Sequence, residues 1–225
     1  MGLLIKICGL TTTETAEATA RAGADMGGLN FFANSPRYLA DLSRAAEIAA
    51  ALGPDVARVA VTVDLDKKAL EAIVAAVAPD YIQLHGSESS ARVAEVKAAF
   101  GLPVIKACAI SDAADVEAAR LYQDAADLLL FDAKPPKPGA SRPSIDRPGG
   151  WGEAFDWMLL KGTDWQVPWL LAGGLDPDNV EEAAEVSHAP GVDVSSGVET
   201  APGVKSSELI ERFVAAARVT GRSTG

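Results

Sequence analysis

Cys8 closes the apolar run "LLIKICGL" and Asp132 closes "LLLFDA", so a thiol and a carboxyl group each end a strand-like segment. Both admit an ordinary explanation. A free cysteine is among the most buried residue types and is usually inert, and an aspartate after a strand commonly shapes the next turn. The chemical alternative for Asp132 is partial desolvation at the mouth of a site, which would raise its pKa and let it act as an acid near neutral pH. Three further features have chemical potential. Arg37, in "NSPRYL", carries a planar fork able to grip a carboxylate bidentately. Gly173 and Gly174 in "AGGL", with Ser195, Ser196 and Gly197 in "SSGVE", would let backbone N–H groups approach a phosphate without Cβ obstruction. His85 ends the run "YIQLHG".

Something must bring these scattered positions together. Eight apolar runs of strand length recur along the chain: "LLIKIC", "MGGLNFF", "VARVAVTV", "YIQLHG", "PVIKACAI", "LLLFDA", "PWLLAG" and "VDVSSG". They are almost continuously apolar, as strands of a parallel sheet buried on both faces are. Helical stretches rich in Ala, Glu and Lys separate them, and the first, "TTETAEATARAG", has threonines to cap its start and Gly23 to stop it. Eight such units in 225 residues predict an α/β fold, a single (β/α)8 TIM barrel spanning 1–225 as one domain. A doubly wound open sheet is the alternative, but "CGLTTT" is not the G-x-G-x-x-G turn it would usually show. In a barrel the site forms where the strands end, so Cys8, Arg37, His85, Asp132 and the two glycine/serine clusters would converge there. Lys106 and Cys108 lie within the fifth strand, and Cys108 is taken as core.

Two regularities sharpen the pattern. Asp25, Asp80, Asp127 and Asp193 introduce strands 2, 4, 6 and 8, as a quarter-barrel duplication would leave; turn preference alone is the competing explanation. The segment "KPPKPGASRPSIDRPGG", at about 133–150, holds five prolines and three glycines and reads as a functional loop rather than a linker.

Composition narrows the partners. A formal net charge of −11 disfavours nucleic acid and anionic lipid, so a small anionic substrate would need a locally positive site. The two histidines, His85 and His188, form no zinc-spaced cluster with cysteine, and neither metal nor cofactor is expected. No stretch approaches a membrane span or a signal peptide, and two cysteines suit free thiols in a reducing cytoplasm.

The segments "KICGL" (6–10), "NFFANSPR" (30–37), "QLHGSE" (83–88), "GGWGEAFDW" (149–157), "LAGGLDPDNV" (171–180) and "VDVSSGVETAPGVK" (192–205) occur in that order. Together they resemble the phosphoribosylanthranilate isomerases of tryptophan biosynthesis, essentially from end to end. The resemblance implies an Amadori rearrangement of N-(5-phosphoribosyl)anthranilate to 1-(2-carboxyphenylamino)-1-deoxyribulose 5-phosphate. It implies Cys8 as general base, Asp132 as general acid and Arg37 on the anthranilate carboxylate. It places the phosphate at Gly173, Gly174, Ser195, Ser196 and Gly197, and His85 is grouped with the substrate contacts. A thiol has an unperturbed pKa of about 8.5, so a modest lowering by nearby backbone dipoles is expected to supply the base. Two positions depart from the family pattern: Trp151 stands where threonine is usual, and Thr62 where phenylalanine is common. The competing functions are another sugar-phosphate barrel, either an aldose–ketose isomerase or epimerase, or a catalytically silent barrel that binds a phosphorylated ligand. A monomer or a homodimer would each suit the fold.

Overall fold

Each of the eight apolar runs is a strand, and the eight close in sequence order into a parallel barrel. The computed structural model describes residues 2–134 and 155–220. The strands are β1 (Leu4–Cys8), β2 (Met26–Asn30), β3 (Ala57–Thr62), β4 (Tyr81–Leu84), β5 (Val104–Ile110), β6 (Leu128–Ala133), β7 (Trp169–Leu171) and β8 (Gly191–Val194). Closure comes through β1, which pairs with β2 at Cys8↔Gly28 and with β8 at Lys6↔Asp193. The fold is therefore a TIM barrel.

The near-continuous hydrophobicity follows from burial on two sides. Ile5, Ile7, Leu29, Ile82, Phe131 and Val192 pack outward against the helices. Met26, Val59, Val61, Ile105, Leu130 and Leu170 fill the interior with Cys8. The helices are α1 (Thr13–Ala22), α2 (Leu42–Ala51), α3 (Lys67–Val77), α4 (Ser90–Phe100), α5 (Ala113–Ala119), α6 (Val180–Ser187) and α7 (Ser207–Thr220). Their starts are chemically specified: the side chains of Thr12, Asp41, Asp66, Ser89 and Asp112 each accept a first-turn N–H. At the other end of α1, Gly23 caps in the left-handed conformation at φ 80°.

The rhythm breaks in the sixth unit. Among the described residues between β6 and β7 the chain makes one 3-10 turn, Trp157–Leu160, where a regular unit would place a helix. Asp156 caps that turn and Gly162, at φ 71°, ends its continuation. Most of the Pro/Gly-rich loop, and Trp151 with it, lies outside the described residues. No described helix is long and apolar enough to cross a membrane.

The four regularly placed aspartates divide three to one. Asp25, Asp80 and Asp127 each accept a backbone N–H from the neighbouring odd-numbered strand: Ile5, Arg58 and Val104, at 2.8, 2.8 and 2.9 Å. Each also carries a cation, from Arg218, Arg58 and Lys97 respectively. Asp193 corrects the expected pattern. It sits inside β8, its side chain enters the barrel, and it pairs with Lys6. Asp25→Ala should lower unfolding free energy by about 1–3 kcal/mol, because it strands a strand N–H. Urea denaturation of the variant measures that loss.

Candidate active site

The mouth of the barrel is built outward from the end of β1. Gly9 N–H and Leu10 N–H both donate to the carbonyl of Gly28, at 2.9 and 3.0 Å, and this turns the chain sharply after Cys8. Gly9 adopts φ 78°, and a Cβ there would meet Cδ of Arg37 at 2.4 Å. Only glycine lets the arginine stem lie across this turn. Gly28 makes a second space: a Cβ on it would lie 3.1 Å from Cys8 Sγ and 3.2 Å from Lys6 Nζ. Thiol and ammonium therefore converge over one bare backbone position.

Burial pushes the Cys8 thiol above its ordinary pKa; Lys6 and Lys205 pull it down, but by less, and Asp193 adds to the rise. The expected lowering by backbone dipoles is thus overturned, because the thiol is buried among side chains that exclude water. Cys108 lies on the other face of the sheet, packed among the outer core residues as expected, and burial raises its thiol to about 11.

Arg37 does make a bidentate carboxylate pair, but with the protein's own Glu199. Nε and Nη2 donate to the two oxygens at 2.6 and 2.7 Å. Glu199 begins a small hairpin of β9 (Glu199–Ala201) and β10 (Val204–Lys205), and it also receives Lys205 Nζ at 2.6 Å. Burial favours the neutral form of Glu199, yet Arg37 and Lys205 outweigh it and hold the group below the usual carboxylate range. Lys205 is pulled down by its burial, with Glu199 opposing. Lys6, Lys205 and Arg37 thus face Glu199 and Asp193, giving a locally cationic mouth on an acidic protein.

On the far side of the mouth, His85 and Asp132 meet. His85 Nε2 lies 3.3 Å from Asp132 Oδ2, and His85 Nδ1 lies 2.8 Å from Gln83 Nε2. Asp132 Oδ1 accepts the N–H of Ala133 at 2.9 Å. Its side chain is 35% exposed, so the desolvation expected for it is only partial. With the Gln83 amide donating to Nδ1, the imidazole proton sits on Nε2 and points at the carboxylate. Gln83 Oε1 is buried without a partner, and turning the amide to accept from Nδ1–H would put its NH2 group in that partnerless place instead. Thr62 occupies its unusual position by donating to Gln83 C=O at 3.1 Å, which ties β3 to β4 beneath His85.

The two glycine/serine loops pack on each other. Gly173 and Gly174 both take positive φ, 86° and 68°, and Asn179 fixes the loop by donating to the Gly174 carbonyl. A Cβ on Gly197 would lie 1.9 Å from the Leu175 carbonyl oxygen, so the loops could not approach with any other residue there. Ser195 is already engaged: its hydroxyl donates to the Cys8 carbonyl at 3.1 Å and accepts from Lys205 Nζ at 3.2 Å. Lys106 faces away from the mouth, bonding Leu84 C=O, Gly86 C=O and Glu88.

With this geometry in place, comparison with known proteins is decisive. A family model described as N-(5′-phosphoribosyl)anthranilate (PRA) isomerase matches residues 5–216. The chain belongs to the PRA isomerase family. An N-(5′-phosphoribosyl)anthranilate isomerase of Rhodopseudomonas palustris (strain BisA53) is 52% identical over 222 residues, covering 99% of each chain. The crystal structure of the phosphoribosyl anthranilate isomerase from Thermotoga maritima superposes with a TM-score of 0.83 at 35% identity, over 96% of this chain and 99% of that one. A phosphoribosyl anthranilate isomerase solved with reduced 1-(o-carboxyphenylamino)-1-deoxyribulose 5-phosphate gives 0.78 at 31% identity, with the same coverage. As a PRA isomerase, the enzyme serves tryptophan biosynthesis.

Sequence reasoning passed over four residues of this PRA isomerase mouth: Lys6, Asp193, Glu199 and Lys205. A usable signal existed for Lys6. It is the only charge in "LLIKIC" and stands two residues before Cys8, the spacing that puts both on one face of a strand.

Proposed function

We propose that the enzyme performs the Amadori rearrangement of N-(5-phosphoribosyl)anthranilate, with Cys8 as general base and Asp132 as general acid. The observation that carries this reading is the placement of a buried thiol and a histidine-held carboxyl group at one barrel mouth, with a cationic cluster between β1 and β8. The relative solved with a reduced aminoketose phosphate supports the same chemistry.

The substrate phosphate binds at the loops of Gly173, Gly174, Ser195, Ser196 and Gly197. Because the Ser195 hydroxyl is committed to Cys8 C=O and Lys205, that residue contributes through its backbone. The anthranilate carboxylate meets Arg37. Glu199 occupies the Nε–Nη2 edge of the guanidinium, which leaves the Nη1–Nη2 edge as a second fork for the ligand. Glu199 thereby fixes the plane of the arginine.

Asp132 gives its proton to the furanose ring oxygen; the C1–O bond breaks and the aniline nitrogen supplies its lone pair, forming the Schiff base. Cys8 thiolate then removes the C2 proton, and the C–H electrons flow into C1 and onto the nitrogen to give the enolamine, which tautomerises to the ketone. His85, placed between Gln83 and Asp132, directs the carboxyl group. Its two tautomers, matched to the two Gln83 amide orientations, accommodate Asp132 with and without its proton.

The direct test incubates the purified enzyme with freshly formed phosphoribosylanthranilate and follows loss of the anthranilate fluorescence together with appearance of the aminoketose. Turnover is expected; no aminoketose above the uncatalysed rate refutes the proposal. Arg37→Ala should raise KM by about 10–100-fold with a smaller effect on kcat, as loss of a bidentate charged contact costs about 1.5–3 kcal/mol. Steady-state kinetics separates the two constants.

A further inference from the structure

We infer that Lys6, held by Asp193 inside the barrel, is a positioning residue that serves as the counter-ion of the Cys8 thiolate. The inference rests on the assignment of Cys8 as the base. Lys6 is completely buried and Asp193 nearly so, and their ion pair spans 2.8 Å between register partners of β1 and β8. A pair of this kind rarely earns its place through stability, since apolar residues of similar volume usually do as well or better. Its position supplies another reason. Lys6 and Cys8 are two residues apart on one strand, point the same way, and reach the same space above Gly28, with Nζ and Sγ 3.2 and 3.1 Å from one point. The missing Cβ of Gly28 is what lets them meet.

The other charges acting on the thiol are Asp193 from β8, Lys205 from β10 and Arg37 from the loop after β2. Lys205 is saturated by Ser195 and Glu199, and Arg37 is gripped by Glu199. Among the described residues Lys6 shares its charge with Asp193 alone of the carboxylates, and it keeps ammonium hydrogens for a thiolate. Burial disfavours the charged form of Lys6, but Asp193 and Cys8 overcome it and raise its pKa. As a counter-ion, Lys6 neither gives nor takes a proton in the reaction. It offsets the desolvation that works against the thiolate, and Asp193 limits how far.

The arrangement makes two predictions of different size. In a Cys108→Ala background, thiolate absorbance against pH, less that of the same protein carrying Cys8→Ala, reports Cys8 alone. Lys6→Met should shift that titration upward, leaving about tenfold less thiolate at a fixed neutral pH, with a matching fall in kcat/KM. Asp193→Asn removes a negative charge that opposes the thiolate but also the carboxylate that keeps Lys6 charged, so it should move the titration less than Lys6→Met does. Should Lys6→Met strand Asp193 and fail to fold, the double variant Lys6→Met/Asp193→Leu replaces the pair with apolar volume and should still titrate higher than the parent. An unchanged titration in the folded Lys6 variants overturns the inference, as does a larger upward shift in Asp193→Asn than in Lys6→Met. Failure of the underlying assignment is seen separately, as normal kcat in Cys8→Ala whatever the thiol titration shows.

Discussion

Cys8→Ser is expected to lower kcat by about 10³–10⁴-fold, the upper range for removing one positioned general base. The serine hydroxyl matches the thiol in shape closely enough to preserve the packing against Gly28, but it does not ionise in the accessible pH range. The variant should therefore bind reduced 1-(o-carboxyphenylamino)-1-deoxyribulose 5-phosphate as the parent does. The pH dependence gives a second, independent signature. Burial raises the Cys8 thiol, so at neutral pH the free enzyme holds mostly thiol and the thiolate fraction grows as pH rises toward the midpoint. kcat/KM should climb with pH on that limb, by up to tenfold per pH unit. In Cys8→Ser the limb should disappear. A variant that keeps both the limb and near-normal kcat would exclude Cys8 as the base, whatever its position.

The barrel was legible because parallel strands buried on both faces leave an unmistakable sequence: eight apolar runs separated by helical stretches. The sixth unit is the exception: its Pro/Gly-rich segment already breaks the rhythm in the sequence, and its described residues hold one 3-10 turn, Trp157–Leu160, where a helix would stand. The ends of the strands were equally legible, and that is why Cys8, His85, Asp132 and the glycine loops could be placed at the barrel mouth. What could not be read was which side chains meet across the mouth. Glu199 comes 162 residues after Arg37, and Asp193 comes 187 residues after Lys6. No local pattern encodes such pairs; they exist only because barrel closure brings β8 beside β1. Asp193 shows the cost of local reading most plainly. Its spacing matched Asp25, Asp80 and Asp127, yet it lies inside β8 rather than before it, and that shift sends its carboxylate into the barrel. Electrostatics were misread for the same reason. A cysteine at a strand end was expected to feel backbone dipoles, whereas its burial dominates and side-chain charges do the opposing.

Asp132→Asn should be nearly as damaging as loss of Cys8, lowering kcat by about 10²–10⁴-fold. The substitution keeps the shape and leaves an oxygen to accept the Ala133 N–H. It replaces the other oxygen, 3.3 Å from His85 Nε2, with an amide that can only donate. His85 must then present an unprotonated Nε2 and carry its proton on Nδ1. Gln83 can meet that demand by turning its amide, which gives Oε1 a partner but leaves the NH2 group in the partnerless position. The site therefore accommodates asparagine at the cost of an unpaired buried amide, about 1–3 kcal/mol in stability, while analogue affinity should stay near the parent value. The loss is then chemical: no acid protonates the ring oxygen, the furanose stays closed, and the Schiff base on which Cys8 acts does not form. This order of events gives a test beyond the rate itself. If ring opening precedes proton removal, deuterium at C2 of the substrate should slow the parent enzyme more than Asp132→Asn, whose turnover is limited by the earlier step. An equal or larger isotope effect in the variant would place Asp132 after the proton removal instead.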